Sequence, residues 1–248
     1  MIYCTGDSFT AGDELADHMF FDDHPGYLFF LKSGQRSAWH LNKKIDNELR
    51  KKLEVENKKR AWPAKLAELT GLDVINNGAS GTSTGQKVNE AILECITNKN
   101  IKTVIFQLIY DTRIYRAYQG RMNSVQLGYE YPDNSDLGEQ ARYFILHESD
   151  YTLRMQWLYD LIRLKDFCAG NGIRLIFINA NANAFLIPPG LETLASYLDI
   201  SITVSMKQIS LSLCNQKIKS ICPGGHYTEQ VHVEVAQQLK DKLNEIKC

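Results

Sequence analysis

Two runs of β-branched and apolar residues limit what this chain can become. Lys102 to Tyr110 holds Thr-Val-Ile-Phe-Gln-Leu-Ile, and Ile173 to Asn179 holds Arg-Leu-Ile-Phe-Ile. Both are strand-length and too evenly apolar for a sheet with one wet face, so they predict strands buried on both sides. Residues 1–5 and Asp73 to Asn77 predict two more strands. Helical spacing fills the intervals. Trp62 to Thr70 has Pro63 near its start and Gly71 just past its end, and Thr84 to Thr97 repeats apolar residues at Val88, Ala91, Ile92 and Cys95. Tyr151 to Ala169 stops at Gly170-Asn171-Gly172, and Glu229 to Ile246 closes the chain. Short strands alternating with helices predict an α/β protein, a three-layer α/β/α sandwich around a central parallel sheet. Ligands of such sheets bind beyond the carboxyl ends of the strands. Ser8, Gly78 and Asp111 each follow a predicted strand and are expected to face one crevice.

The chain of 248 residues suits one domain over 1–248 with a substantial core. Two stretches interrupt the alternation, at about 13–60 and 112–150. The first holds an aromatic patch (Phe20, Phe21, Tyr27, Phe29, Phe30) and, from Lys43 to Arg60, eight basic and four acidic residues, read as a solvated helix face. The second is rich in tyrosine (Tyr115, Tyr118, Tyr129, Tyr131, Tyr143) and arginine (Arg113, Arg116, Arg121), and its length fits a lid or binding loop. A net charge of -1 gives no global field toward nucleic acid or an acidic membrane. No apolar run approaches the ~20 residues of a membrane span. No signal peptide is visible, so a cytoplasmic protein starting at its functional N-terminus is expected, with release by lysis, as from a virus, also compatible. The six cysteines show no paired spacing, and Cys4, Cys95 and Cys168 fall in apolar stretches as core thiols. Asp17, His18, Asp22, Asp23 and His24 read as a solvated acidic loop rather than a cation site, so no metal and no cofactor are expected.

The chemistry concentrates at the two ends. Ile2-Tyr3-Cys4-Thr5 runs straight into Gly6-Asp7-Ser8, a turn that can present a serine hydroxyl at the end of a strand. Over 200 residues later comes His226, in Pro-Gly-Gly-His-Tyr-Thr-Glu-Gln-Val-His. A serine hydroxyl needs an adjacent base near neutral pH, and imidazole titrates in that range. The fold must then bring both ends of the chain together. His232 is read as structural, and Cys222 is not a thiol nucleophile because no strand-turn element presents it.

Three blocks in this order resemble the SGNH hydrolase superfamily, the GDSL esterases and lipases. Gly6-Asp7-Ser8 with Phe9 and Gly12 is similar to the block that holds the nucleophile. Asn76-Asn77-Gly78-Ala79-Ser80-Gly81 is similar to the second block, whose glycine N–H serves the oxyanion hole. His226 with Thr228, His232 and Ala236 is similar to the block that supplies the base, and Trp62-Pro63 with Leu66 and Gly71 to the helix after the first. The resemblance covers about half the chain and implies a flavodoxin-like sandwich, with Ser8 and His226 catalytic and the Ser8 and Gly78 amides as oxyanion donors. Two positions depart from the family. Where it carries Gly-x-Asn-Asp, this chain has Leu108-Ile109-Tyr110-Asp111, without the asparagine donor. Where it has aspartate three residues before the histidine, this chain has Pro223. Either a backbone carbonyl near Cys222 accepts from the imidazole, giving a Ser-His dyad, or a carboxylate from elsewhere does.

The expected activity is that of a serine esterase working through an acyl-enzyme, on an O-acetylated carbohydrate or a similar small acyl ester. Asp7, Asn77, Tyr110, Asp111 and Arg113 are the candidate substrate-binding residues. An acyltransferase using the same Ser-His pair, and a degenerate module that binds carbohydrate without turnover, are the alternatives. The expected partner is a small-molecule or carbohydrate ester, with no nucleic acid and no membrane, and the sequence leaves the oligomeric state open.

Overall fold

The computed structural model describes residues 1–21, 47–109, 113–118, 121–126, 138–139, 141–143, 149–180, 189–198, 202–222 and 225–245. Five strands form one parallel sheet: β1 (Ile2–Gly6), β2 (Val74–Gly78), β3 (Thr103–Leu108), β6 (Arg174–Asn179) and β7 (Ile202–Ser205), in the order β2-β1-β3-β6-β7. β1 lies between β2 and β3 and is parallel to both. The chain first winds outward to β2 and then crosses to β3, so the topological switch falls beside β1, where open α/β sheets bind ligands.

Side chains alternate across the sheet with a period of two. Ile2 and Cys4 of β1 and Ile105 of β3 enter a layer with Trp62 and Leu66 of α4 (Trp62–Thr70), Ile209 and Leu213 of α8 (Met206–Asn215), and Val231, Val235 and Leu239 of α9 (Glu229–Asn244). Tyr3, Val104 and Phe106 face the other layer, with Val88 and Ala91 of α5 (Thr84–Thr97) and Leu158, Leu161 and Leu164 of α6 (Asp150–Gly170). These two cores are the outer seams of a three-layer α/β/α sandwich.

The helix ends follow from the sequence. Ser83 caps α5 by accepting from the Gln86 N–H, and Ser149 caps α6 by accepting from the Thr152 N–H. Gly71 closes α4 in the left-handed conformation, its N–H donating to the Ala67 carbonyl. The N-terminus of α4 is capped from far along the chain: the Trp62 N–H donates to His232 Nδ1 at 3.0 Å. Burial, and secondarily the charge of nearby His226, push His232 down to about 3, so it stays neutral and able to accept.

Both interrupting stretches contain structure. α3 (Asn47–Arg60) carries the charged run, with Lys52–Glu48 and Lys58–Glu54 pairs one turn apart. β4 (Arg113–Tyr118) and β5 (Arg121–Gln126) form an antiparallel hairpin that the sequence reading treated only as part of an insertion. Short helices α1 (Ser8–Ala11), α2 (His18–Phe21) and α7 (Glu192–Leu198) complete the described elements. Cys4, Cys95 and Cys168 are buried free thiols. Among the described residues no helix is long and apolar enough to cross a membrane, and no group of three metal-ligating side chains occurs. Asp22, Asp23 and His24 lie outside them.

Candidate active site

The chain leaves β1 at Gly6 and enters α1 within two residues, and this turn is held from several sides. Asp7 caps α1, its Oδ1 accepting from the Phe9 N–H at 3.1 Å. Gln107, buried within β3, presents one oxygen to two donors: the Asp7 N–H at 3.2 Å and the Thr10 hydroxyl at 2.8 Å. A Cβ on Gly6 would collide with both Gln107 and Thr10, so the turn requires glycine. Asp7 Oδ2 pairs with Arg113 Nη1 at 2.9 Å, where the Asp7 side chain is 1% and the Arg113 side chain 13% exposed. The first residue of the hairpin is thereby tied to the turn that carries Ser8.

Ser8 sits at the head of this turn with its Oγ 2.9 Å from Nε2 of His226, across 218 residues of sequence. The histidine comes from a small closed loop before α9. The Cys222 N–H donates to the His226 carbonyl at 2.7 Å, Ile221 and Tyr227 form an antiparallel bridge, and the Thr228 N–H donates to the Ser220 carbonyl. The Tyr227 hydroxyl donates to the Ala180 carbonyl at 2.7 Å, anchoring the loop to the end of β6. Phe9, next to Ser8, packs its ring against the imidazole at 5.0 Å and against Tyr227 at 5.3 Å.

The other imidazole nitrogen faces an acid that no motif marked. Nδ1 lies 3.4 Å from Oε1 of Glu14, whose side chain is 2% exposed. That separation is within ion-pair range but outside hydrogen-bond geometry, and Nδ1 is buried with no hydrogen-bond partner among the described residues. The group beside the imidazole is thus a carboxylate, not the Cys222 carbonyl, which accepts from the Gly225 N–H instead. Pro223 lies outside the described residues.

Several candidate residues have other tasks. The Gly78 N–H donates to the Asn76 side chain at 2.9 Å, and a Cβ at Gly78 would strike the backbone of Thr10 and Ala11. Gly78 is therefore where β2 packs against α1, and its amide is spoken for. Asn77 points into a separate polar cluster, its amide donating to the Tyr3 hydroxyl at 2.5 Å and to Glu90 at 2.8 Å. Buried Lys87 joins that cluster through Glu90 and the Asn77 carbonyl, each at 2.7 Å. Burial lowers Lys87 from its usual value. Burial also opposes charge on Glu90, but hydrogen bonds from Lys87, Gln86 and Asn77 outweigh it and hold Glu90 low. Asp7 has both carboxylate oxygens engaged inside the protein, and Arg113 is engaged by Asp7, so both brace the turn. Tyr110 and Asp111 lie outside the described residues.

The free amides lie one turn further on. Among the described residues the N–H groups of Ser8, Ser80 and Gly81 donate to no acceptor, and Gly81 is left-handed at φ 75° with open space around it. The loop of Ser80 and Gly81 wraps the turn that carries Ser8. The Ala79 N–H donates to the Gly6 carbonyl at 3.2 Å, Ser80 donates its hydroxyl to Asp13, and Arg113 reaches the Thr82 carbonyl at 3.5 Å. Sequence reasoning missed Gln107 and Glu14. A glutamine inside an otherwise apolar buried strand was a usable signal for the first, since a buried amide must find partners.

No protein-family model and no curated protein matches this chain. Solved structures do. A member of the lipolytic protein G-D-S-L family from Veillonella parvula DSM 2008 is 11% identical, over 99% of this chain and 96% of its own, with a TM-score of 0.37. A carbohydrate acetylesterase family member from Sinorhizobium meliloti is 12% identical, over 98% and 97%, with a TM-score of 0.43. A carbohydrate esterase family 2 enzyme with a carbohydrate-binding domain, from Corynascus thermopiles, is 10% identical, over 98% and 65%, with a TM-score of 0.49. The likeness is one of fold.

Proposed function

We propose that this protein is a serine esterase that releases a small acyl group from an alcohol through an acyl-enzyme. The observation that carries the reading is the 2.9 Å approach of Ser8 Oγ to His226 Nε2 at the carboxyl end of the sheet. Ser8 Oγ attacks the ester carbonyl carbon while Nε2 takes its proton, and the imidazolium returns that proton to the departing alkoxide oxygen. Water, deprotonated by the same imidazole, then attacks the acyl carbon and frees Ser8. The oxyanion meets the Ser8 N–H and the amides of the Ser80–Gly81 turn, which have no competing acceptor among the described residues. Gly78 supports that turn instead of donating. The tyrosine and arginine content of residues 112–150 suits the hydroxyl-rich alcohol of an O-acetylated carbohydrate.

The test is hydrolysis of p-nitrophenyl acetate and of an acetylated oligosaccharide by wild type and by Ser8→Ala. Turnover by wild type, lowered by ~10⁴-fold or more in Ser8→Ala, supports the reading. A folded wild-type protein that binds the sugar without releasing acetate overturns it in favour of a non-catalytic module.

A further inference from the structure

The family pattern places the acid that orients the histidine three residues before it, and here that residue is Pro223. From the geometry we infer that Glu14 takes over this task as a positioning residue, supplied by the same segment that carries the nucleophile. The inference rests on the esterase reading for its kinetic consequences and on the structure alone for the contact. Oε1 faces His226 Nδ1 at 3.4 Å inside the protein, while the opposite imidazole nitrogen faces Ser8. A carboxylate at that place favours the tautomer with hydrogen on Nδ1, which leaves Nε2 free to accept the serine proton. It also stabilises the imidazolium that forms next. Catalytic hydrogen bonds are often long before substrate binds and shorten as charge develops, and 3.4 Å leaves room for that.

The backbone adds an independent observation. Glu14 has φ 73°, a left-handed conformation that a residue with a Cβ adopts at a cost and glycine adopts freely. The surroundings enforce it. Gly12 ends α1 left-handed, with Asn57 and Ala61 against the position of its missing Cβ, and the Ala16 N–H donates to the buried Asn57 side chain at 2.7 Å. The turn after α1 is thus pinned to α3, and its one unfavourable backbone position holds the carboxylate aimed at His226. A purely structural residue at this site would be better as glycine or asparagine. Glu14 therefore has a use that its backbone alone does not justify.

The experiment compares wild type with Glu14→Gln, Glu14→Gly and Glu14→Asp, reading kcat, KM, melting temperature and the downfield imidazole N–H resonance. The inference predicts a strongly deshielded Nδ1 proton in wild type once the imidazole is protonated and the contact shortens, lost in His226→Ala and in Glu14→Gln. It predicts a kcat lowered ~10²–10⁴-fold in Glu14→Gln with KM little changed, and partial recovery in Glu14→Asp. Glu14→Gly should lose kcat at least as far as Glu14→Gln does, with any fall in melting temperature read separately from the kcat of the folded fraction. Wild-type kcat in Glu14→Gln, or no deshielded proton in the wild type, overturns the inference. A kcat loss matched by a loss of fold in all three variants does so as well. A wild type that neither turns over esters nor reacts at Ser8 overturns the esterase reading instead, and the resonance then still decides whether Glu14 holds the imidazole.

Discussion

The turn that carries Ser8 and the loop that carries His226 meet at 2.9 Å but are built differently. The turn is buried and held by side chains from far away: Gln107 from β3 and Arg113 from the hairpin. The loop is partly exposed and held mainly by its own backbone, through the Ile221–Tyr227 bridge and the Cys222–His226 bond. Ser8 is thus placed by the core of the fold, whereas His226 is carried on a local device. Damage to the first region should lower stability and activity together, and damage to the second should lower activity more than stability.

The largest effect is expected at Arg113. Arg113→Ala strands the Asp7 carboxylate in a buried place, and breaking such a pair costs ~3–5 kcal/mol. A matching fall in chemical-denaturation stability, with activity lost, supports the contrast; a stable but inactive variant would assign Arg113 to substrate. Gln107→Leu comes next. It leaves the Asp7 N–H and the Thr10 hydroxyl without their buried acceptor, at ~1–3 kcal/mol for each such group. Both stability and kcat should fall, and a kcat that stays at the wild-type value would show that the turn is held without Gln107.

A third difference appears with pH. His232 is held at about 3 when folded and returns to its ordinary value near 6.5 when unfolded. Between these values the unfolded chain binds the extra proton, so stability is full above about pH 6.5 and is lost as pH falls toward 3. The slope is at most ~1.4 kcal/mol per pH unit. Urea midpoints at pH 7, 5.5 and 4 measure it, and His232→Gln should flatten this part of the curve. The smallest effect is expected in the base loop. Gly225 is left-handed at φ 97° with nothing near its missing Cβ, so Gly225→Ala strains only the loop, by ~1–2 kcal/mol. A fall in kcat, with a melting temperature lowered by no more than this local strain accounts for, sharpens the comparison. An equal fall in both would erase it.

Much of the architecture was legible in the sequence, because buried parallel strands and capped helices leave strong local signals. The β1 run, the Gly6-Asp7-Ser8 turn and the helices over 62–70 and 84–97 all stand where periodicity and caps predicted them. What stayed hidden depends on distant partners. Glu14 is one acid in the run Asp13-Glu14-Leu15-Ala16-Asp17, and only the return of the carboxyl-terminal loop sets it apart. The resemblance assigned an oxyanion amide to Gly78, and only the structure shows that the Asn76 side chain takes that amide. Arg113–Tyr118 shows no apolar–polar alternation, its arginines falling three residues apart, so the hairpin passed for irregular insertion.

The central claim is that Ser8 is activated by His226, and reaction with a fluorophosphonate followed by peptide mass analysis tests it most directly. A single adduct on the Ser8 peptide, absent in Ser8→Ala and slowed at least ~10²-fold in His226→Ala, is the predicted result. A folded wild-type protein that stays unmodified at Ser8, or that reacts equally fast without His226, would contradict it.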